Sequence, residues 1–167
     1  QGRGYVKLAR LLEYVEARLS GRVASNAAKV LHAIESFAVH DSWLKVAGDS
    51  KAELLQQILD MTVGYSSPCP QLLELGTFVG YTTIRMAQRI VQLGKLGGGV
   101  VSLEVDPVHA FFARHMMTHA GMAAKAEVWL GLTYDTLTRL TEAVGHRTVD
   151  FTFMDHRGTR FHDDLGT

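Results

Sequence analysis

Residues 73–82 read LELGTFVGYT, and the chain changes character partway through them. QLLEL (71–75) is a short apolar run of strand length, whereas GYTTIRMAQRIVQL (80–93) sets Ile84, Ala87, Ile90 and Val91 at helical spacing. Gly76 and Gly80 separate the two. A residue without Cβ permits a tight turn and lets the backbone approach a ligand at the helix N-terminus, where unpaired N–H groups point outward. The spacing is G-x-x-x-G, not the G-x-G-x-x-G that cradles a dinucleotide pyrophosphate. A glycine turn after a strand is common punctuation, so its meaning depends on its surroundings.

Downstream the same alternation repeats. GKLGGG (94–99) breaks the helix, and VVSLEV (100–105) is a second strand. Asp106 caps a helix with Pro107 at its first position and Val108, Phe111, Phe112 and Met116 along it, ending at Gly121. AEVWL (126–130) is a third strand, TYDTLTRLTEAV (133–144) a helix closed by Gly145, and VDFTFM (149–154) a fourth strand. Near-continuous apolar strands between amphipathic helices predict a parallel sheet covered on both faces. Upstream, helices are expected over 5–19, over 27–39 with Val30, Leu31, Ile34, Phe37 and Ala38 inward, and over 51–63. The last would be capped by Ser50 and carry Leu54, Leu55, Ile58 and Leu59. The expectation is one α/β domain, with a helical cap region over 1–64 and β-α units over 65–167.

Composition narrows the function. Of 167 residues, 47% are hydrophobic and 20% charged, a globular profile with enough chain for one core. Lys plus Arg equals Asp plus Glu, 17 each, and no basic stripe is visible, which argues against nucleic acid as a partner. No apolar run reaches the roughly 18 residues of a membrane span. The single cysteine, Cys69 between Pro68 and Pro70, excludes an internal disulfide and fits a soluble protein of a reducing compartment or organelle interior. Because the sequence opens at Gln1, a processed or trimmed N-terminus is expected.

Glu104 closes the second strand, where an acid can accept hydrogen bonds from both ribose hydroxyls and repel a 2′-phosphate. Glu74, Gly76, Gly80 and Glu104, in β-α-β order, together point to a nucleoside ligand without a pyrophosphate, such as S-adenosylmethionine. The closing stretch FTFMDHRGTRFHDDLGT (151–167) delivers Asp155 into a turn carrying His156, Arg157 and Arg160. His115 and His119 share a helix face but lack the glutamate of H-E-x-x-H, and read as a solvated face. Asp163 and Asp164 read as a polar tail. Met116, Met117 and Met122 read as core, and of Phe111 and Phe112 only one can face fully inward.

From about Leu31 to Phe161 the chain resembles catechol O-methyltransferase and its relatives, Rossmann-like enzymes that methylate a catechol hydroxyl with S-adenosylmethionine and Mg²⁺. SWLKVAGDSKAELL, LLELGTFVGYTTIRMAQ, SLEVDP, AGMAAKAEVWLGLTYDTL and VDFTFMDHRGTRF carry the resemblance. It implies a Rossmann-like three-layer sandwich with a mostly parallel sheet, of which this chain supplies four of seven strands. It also implies that Ala47, Glu74 and the backbone from Gly76 through Gly80 to Tyr81 hold the methionine part of the cofactor, and that Glu104 holds the ribose. Thr133, Tyr134 and His156 would surround the adenine, Trp43 would wall the acceptor pocket, and Asp155 would be the first Mg²⁺ ligand. The chain departs from the pattern at Gly158, where the family places its base lysine, at Arg157 in place of a tryptophan, at Lys45 in place of an apolar residue, and at Tyr134 in place of an amide. The remaining metal ligands would fall beyond Thr167, so a further C-terminal segment or another protein chain is expected to cover strand 149–154. Two functions follow. One is a catechol-type O-methyltransferase with a small catechol-like acceptor. The other is a non-catalytic methyltransferase fold acting as a structural or interaction subunit of a larger assembly.

Overall fold

The structure, a computed structural model, describes residues 2–19, 27–64, 68–144 and 149–156. Among them, β1 (Gln71–Leu75), β2 (Gly99–Glu104), β3 (Ala126–Leu130) and β4 (Phe151–Met154) form one parallel sheet in the order β3-β2-β1-β4. The helices α4 (Tyr81–Gln92), α5 (Pro107–His119) and α6 (Thr133–Val144) make the crossovers that parallel neighbours require. Strands run outward from β1 through β2 to β3, and the chain then returns to pair β4 on the other side of β1. The direction of winding therefore reverses between β1 and β4, and the crevice beyond the carboxyl ends of those strands is where open α/β sheets take ligands.

Register brings that end of the sheet level. Leu75 pairs with Leu103 on β2 and with Met154 on β4. The Gly76 N–H donates to the Leu103 carbonyl at 2.9 Å and the Asp155 N–H to the Leu75 carbonyl at 3.0 Å. Gly76, Glu104 and Asp155 thus leave three adjacent strands at one height.

Strand alternation divides the core. Leu72, Val100, Ala126 and Val128 face α4 and α5, where Ile84, Ala87, Ile90, Ala113 and Met116 are buried against them. Behind lies an outer helical layer of α1 (Gly2–Arg18), α2 (Ala27–His40) and α3 (Asp49–Thr62), whose Leu8, Leu11, Ile34, Phe37 and Leu59 join the same core. Leu73, Leu75 and Leu103 point to the opposite face and meet Leu140 of α6. Among the described residues no helix is long and apolar enough to cross a membrane.

Several local expectations are refined. Helix α3 starts at Asp49 with Gly48 at its N-cap and no side-chain cap, so Ser50 lies inside the helix and does not cap it. Its buried stripe is Ala52, Leu55 and Leu59, leaving Leu54 (57%) and Ile58 (37%) exposed. The helix packs on α4 along one narrow line, so the flanking apolar positions stay outside. Val91 is likewise partly exposed and Ala38 half-buried, and Phe112 is buried while Phe111 faces out. Met116, Met117 and Met122 are core, as expected. Strand β4 begins at Phe151, not Val149, because the Asp150 carboxylate accepts the Gln71 N–H at 2.8 Å while its own N–H bonds the Gln71 carbonyl. Asp106 does cap α5, accepting the Val108 and His109 N–H groups at 2.8 and 3.3 Å, with Pro107 following and Gly121 (φ 70°) just past the C-cap. Gly145 lies outside the described residues.

Candidate functional site

The turn from β1 into α4 contains three positive-φ residues, Gly76 (φ 99°), Phe78 (φ 51°) and Gly80 (φ 79°), and is closed by the Gly80 N–H on the Thr77 carbonyl at 2.9 Å. A left-handed conformation costs a bulky residue on the order of 1 kcal/mol or more. At Phe78 the compensation is visible, since its N–H donates to Glu104 Oε2 at 2.8 Å. Glu104 Oε1 accepts the Val105 and Asp106 N–H groups, each at 2.9 Å. This 7% exposed carboxylate is therefore locked by three backbone donors from two adjacent turns. An ionised carboxylate offers about four acceptor positions, so capacity remains for a further donor.

Glu74 lies one strand over, wholly buried on the α4 face. Its Oε2 accepts Thr83 Oγ1–H and, at 2.5 Å, Ser102 Oγ–H, and Ser102 in turn shares a 2.6 Å hydrogen bond with Thr77. Burial pushes the Glu74 carboxyl up to about 8. The Ser102 and Thr83 hydroxyls pull it down, and the charges of Asp155 and Glu104 add to the rise.

The two glycines have reasons of their own to be glycine. At Gly76 (φ 99°) a Cβ would lie 2.9 Å from His156 N and Cα, so the β4 turn crosses directly over it. At Gly80 a Cβ would lie 3.3 Å from Ala113, which lets α4 start hard against α5. Both identities are accounted for by backbone conformation and packing before any ligand is invoked.

The other expected residues fall as follows. The Tyr81 hydroxyl bonds Glu35 of α2, while Arg85 donates to the same hydroxyl at 2.8 Å and to Glu35 at 2.7 Å. Burial and then the Glu35 hydrogen bond raise this phenol above its ordinary value. The ring ties α4 to the helical layer, leaving its backbone at the turn. Ala47 is buried next to Gly48, which faces the Tyr81 hydroxyl. Thr133 is half-buried and Tyr134 is 66% exposed in the first turn of α6, tied to this end of the sheet through the Gly131 N–H on the Glu104 carbonyl at 2.9 Å. His156 is half-buried over Gly76. Trp43 is 71% exposed, and its carbonyl accepts Lys7 Nζ at 2.9 Å. Arg157, Gly158, Arg160, Asp163 and Asp164 lie outside the described residues. His119 bonds Glu16 at 3.2 Å and His115 the Phe111 carbonyl at 3.1 Å, in keeping with a surface role.

Several neighbours were not anticipated. His109 Nδ1 sits 3.9 Å from Glu104 Oε1, with its ring edge-on to Phe78 at 5.0 Å and to Tyr5 of α1 at 6.4 Å. The Tyr5 hydroxyl reaches Asp106 at 3.0 Å. The one sequence signal for the network behind Glu74 is Ser102, a hydroxyl set between Val101 and Leu103 within β2.

Asp155, the expected first metal ligand, carries an ion pair with Lys45 Nζ at 3.3 Å. Among the described residues no group of three or more His, Cys, Asp or Glu side chains could hold a metal ion. Mg²⁺ demands near-octahedral oxygen coordination. One carboxylate, already shared with an ammonium, does not fit it.

A model of the O-methyltransferase family matches residues 22–163. The chain is 30% identical over 162 residues to catechol O-methyltransferase from Bos taurus, covering 97% of this chain and 55% of that protein. It is 35% identical over 127 residues to catechol O-methyltransferase B from Danio rerio, covering 76% and 45%. It thus spans about half the length of these curated relatives. The crystal structure of the O-methyltransferase from Bacillus cereus in complex with SAH superposes with a TM-score of 0.60 at 28% identity, over 92% of this chain and 66% of that one. A sheet wound β3-β2-β1-β4 with an acid at the end of β2, matched by that family model over most of its residues, places the chain in the O-methyltransferase family.

Proposed function

We propose that the chain binds S-adenosylmethionine in the crevice beyond β1 and β4 and belongs to a methyltransferase that acts on a hydroxyl of a small catechol-like acceptor. The observation that carries this reading is the Glu104 carboxylate, fixed by three N–H donors at the end of β2 with acceptor capacity to spare. That geometry fits a ribose diol. The Phe78–Gly80 turn and the N-terminus of α4 flank it, where N–H groups and the helix dipole favour a carboxylate such as that of an amino acid.

When bound, the cofactor supplies an electrophilic methyl group on a sulfonium, which an acceptor oxygen takes up. The residues of this chain bind and orient. Glu104 orients the ribose, the backbone of Gly76 to Tyr81 and of Ala47 borders the methionine portion, and Thr133, Tyr134 and His156 border the adenine. Glu74 lines the wall behind the turn. No proton transfer is assigned to a residue of this chain.

Isothermal titration of S-adenosylmethionine and of its demethylated product into the wild type and Glu104→Ala tests the reading. Loss of a charge-assisted hydrogen bond is worth about 1.5–3 kcal/mol, so affinity is expected to fall roughly ten- to hundredfold. Unchanged affinity in a variant that still melts cooperatively would sink the cofactor assignment. Product formation with a simple catechol is measured separately. Binding without turnover would favour the non-catalytic alternative, whose motivating residue is Gly158.

A further inference from the structure

Lys45 is a cation that the fold brings to the Asp155 carboxylate. It sits in the connection between α2 and α3, where Leu44 and Ala47 on either side are buried and the Val46 N–H closes on the Leu44 carbonyl at 3.1 Å. That short turn projects residue 45 outward, and Lys7 holds the Trp43 carbonyl just ahead of it. The ammonium lies 3.3 Å from Asp155 Oδ1, with the Lys45 side chain 64% exposed and that of Asp155 36%.

We propose that Lys45 is a built-in counter-cation that opposes divalent-metal binding at Asp155, so that this carboxylate is charge-balanced by a side chain. Mg²⁺ sits about 2.1 Å from a ligand oxygen. A metal on the same carboxylate oxygen would lie within about 5.4 Å of Nζ, by adding that distance to the 3.3 Å contact. Repulsion between a double and a single positive charge at that range, even in high dielectric, weakens metal binding on the order of tenfold at low salt. Moving the lysine aside instead exposes Asp155 at the loss of its ion pair. The inference concerns fixed charge and is independent of whether S-adenosylmethionine binds.

Mn²⁺ serves as the probe, its bound fraction read by electron paramagnetic resonance on the full chain at low ionic strength. Lys45→Met is expected to bind Mn²⁺ about tenfold more tightly than the wild type, and Lys45→Arg to behave as the wild type because the charge is kept. Adding Asp155→Asn to Lys45→Met should abolish the gain, and added salt should narrow it. Lys45 is exposed in a loop, so these variants are expected to fold, which circular dichroism checks. A Lys45→Met protein that gains no Mn²⁺ affinity, whether both proteins bind the ion or neither does, overturns the proposal. So does a gain that survives Asp155→Asn.

Discussion

Glu74 is an acid walled into a strand whose neighbours are leucines, and its raised carboxyl makes it sensitive to pH over a definite range. The folded-state value of about 8 lies above the ordinary 4.5, so the native protein holds this proton more tightly than the unfolded chain does. The stability it contributes is fully present below about pH 4.5 and is lost as pH rises toward 8. Thermal melts of the unliganded protein are expected to show this contribution declining between pH 5 and 8. Glu74→Gln, which keeps the shape and cannot ionise, should flatten the decline; an unaltered slope would mean that the buried charge is compensated elsewhere. Gly76 is the second residue on which the site turns. Alanine there meets both a φ of 99° and a Cβ 2.9 Å from the His156 backbone. Urea denaturation of Gly76→Ala should show a loss of about 2 kcal/mol or more, combining left-handed strain with displacement of the β4 turn.

At the scale of the element, α5 depends on its first residue. The Asp106 carboxyl is raised by burial, but the Val108 N–H, the Tyr5 hydroxyl and the His109 N–H outweigh this and hold it below the usual carboxylate range. Asp106→Ala is expected to cost about 1 kcal/mol in chemical denaturation. This cap was readable from Asp106-Pro107 because its chemistry is local. The same holds for the glycine breaks and for strands such as AEVWL, where sequence and structure agree on 126–130. Ser50 misled because the helix starts at Asp49, in a positive-φ conformation with Gly48 before it, which favours no cap by type. Leu54 and Ile58 stay exposed because an apolar residue marks only the ability to be buried, while the partner helix decides the width of the stripe. The acids Glu74, Glu104 and Asp155 could be found as strand-end or strand residues. What surrounds them, Thr83 and Ser102 at one and Lys45 at another, comes from elements distant in sequence and has no local pattern to betray it.

For the molecule as a whole, the outer helices are not an appendage. Leu8, Leu11 and Val15 of α1 are buried in one continuous cluster with Ile34, Phe37, Ile84, Met116 and the sheet residues Leu72 and Val100. Leu11→Ala is therefore expected to lower global stability by about 2–5 kcal/mol, with far- and near-ultraviolet circular dichroism still melting together. An early, separate loss of helix would show that α1 unfolds alone.

The bond from Tyr5 to Asp106 joins residues 101 apart, and that from Glu16 to His119 residues 103 apart. On the ribosome, α1 can meet α2 soon after synthesis, but the α5 surface that completes its docking site follows roughly a hundred residues later. The part of its surface that faces α5 stays uncovered meanwhile, and a loop of that length must close before that contact forms. The α1–α5 contact should then be among the last to form. Truncations at Leu8 are expected to speed unfolding and leave the folding rate nearly unchanged, with φ-values near zero.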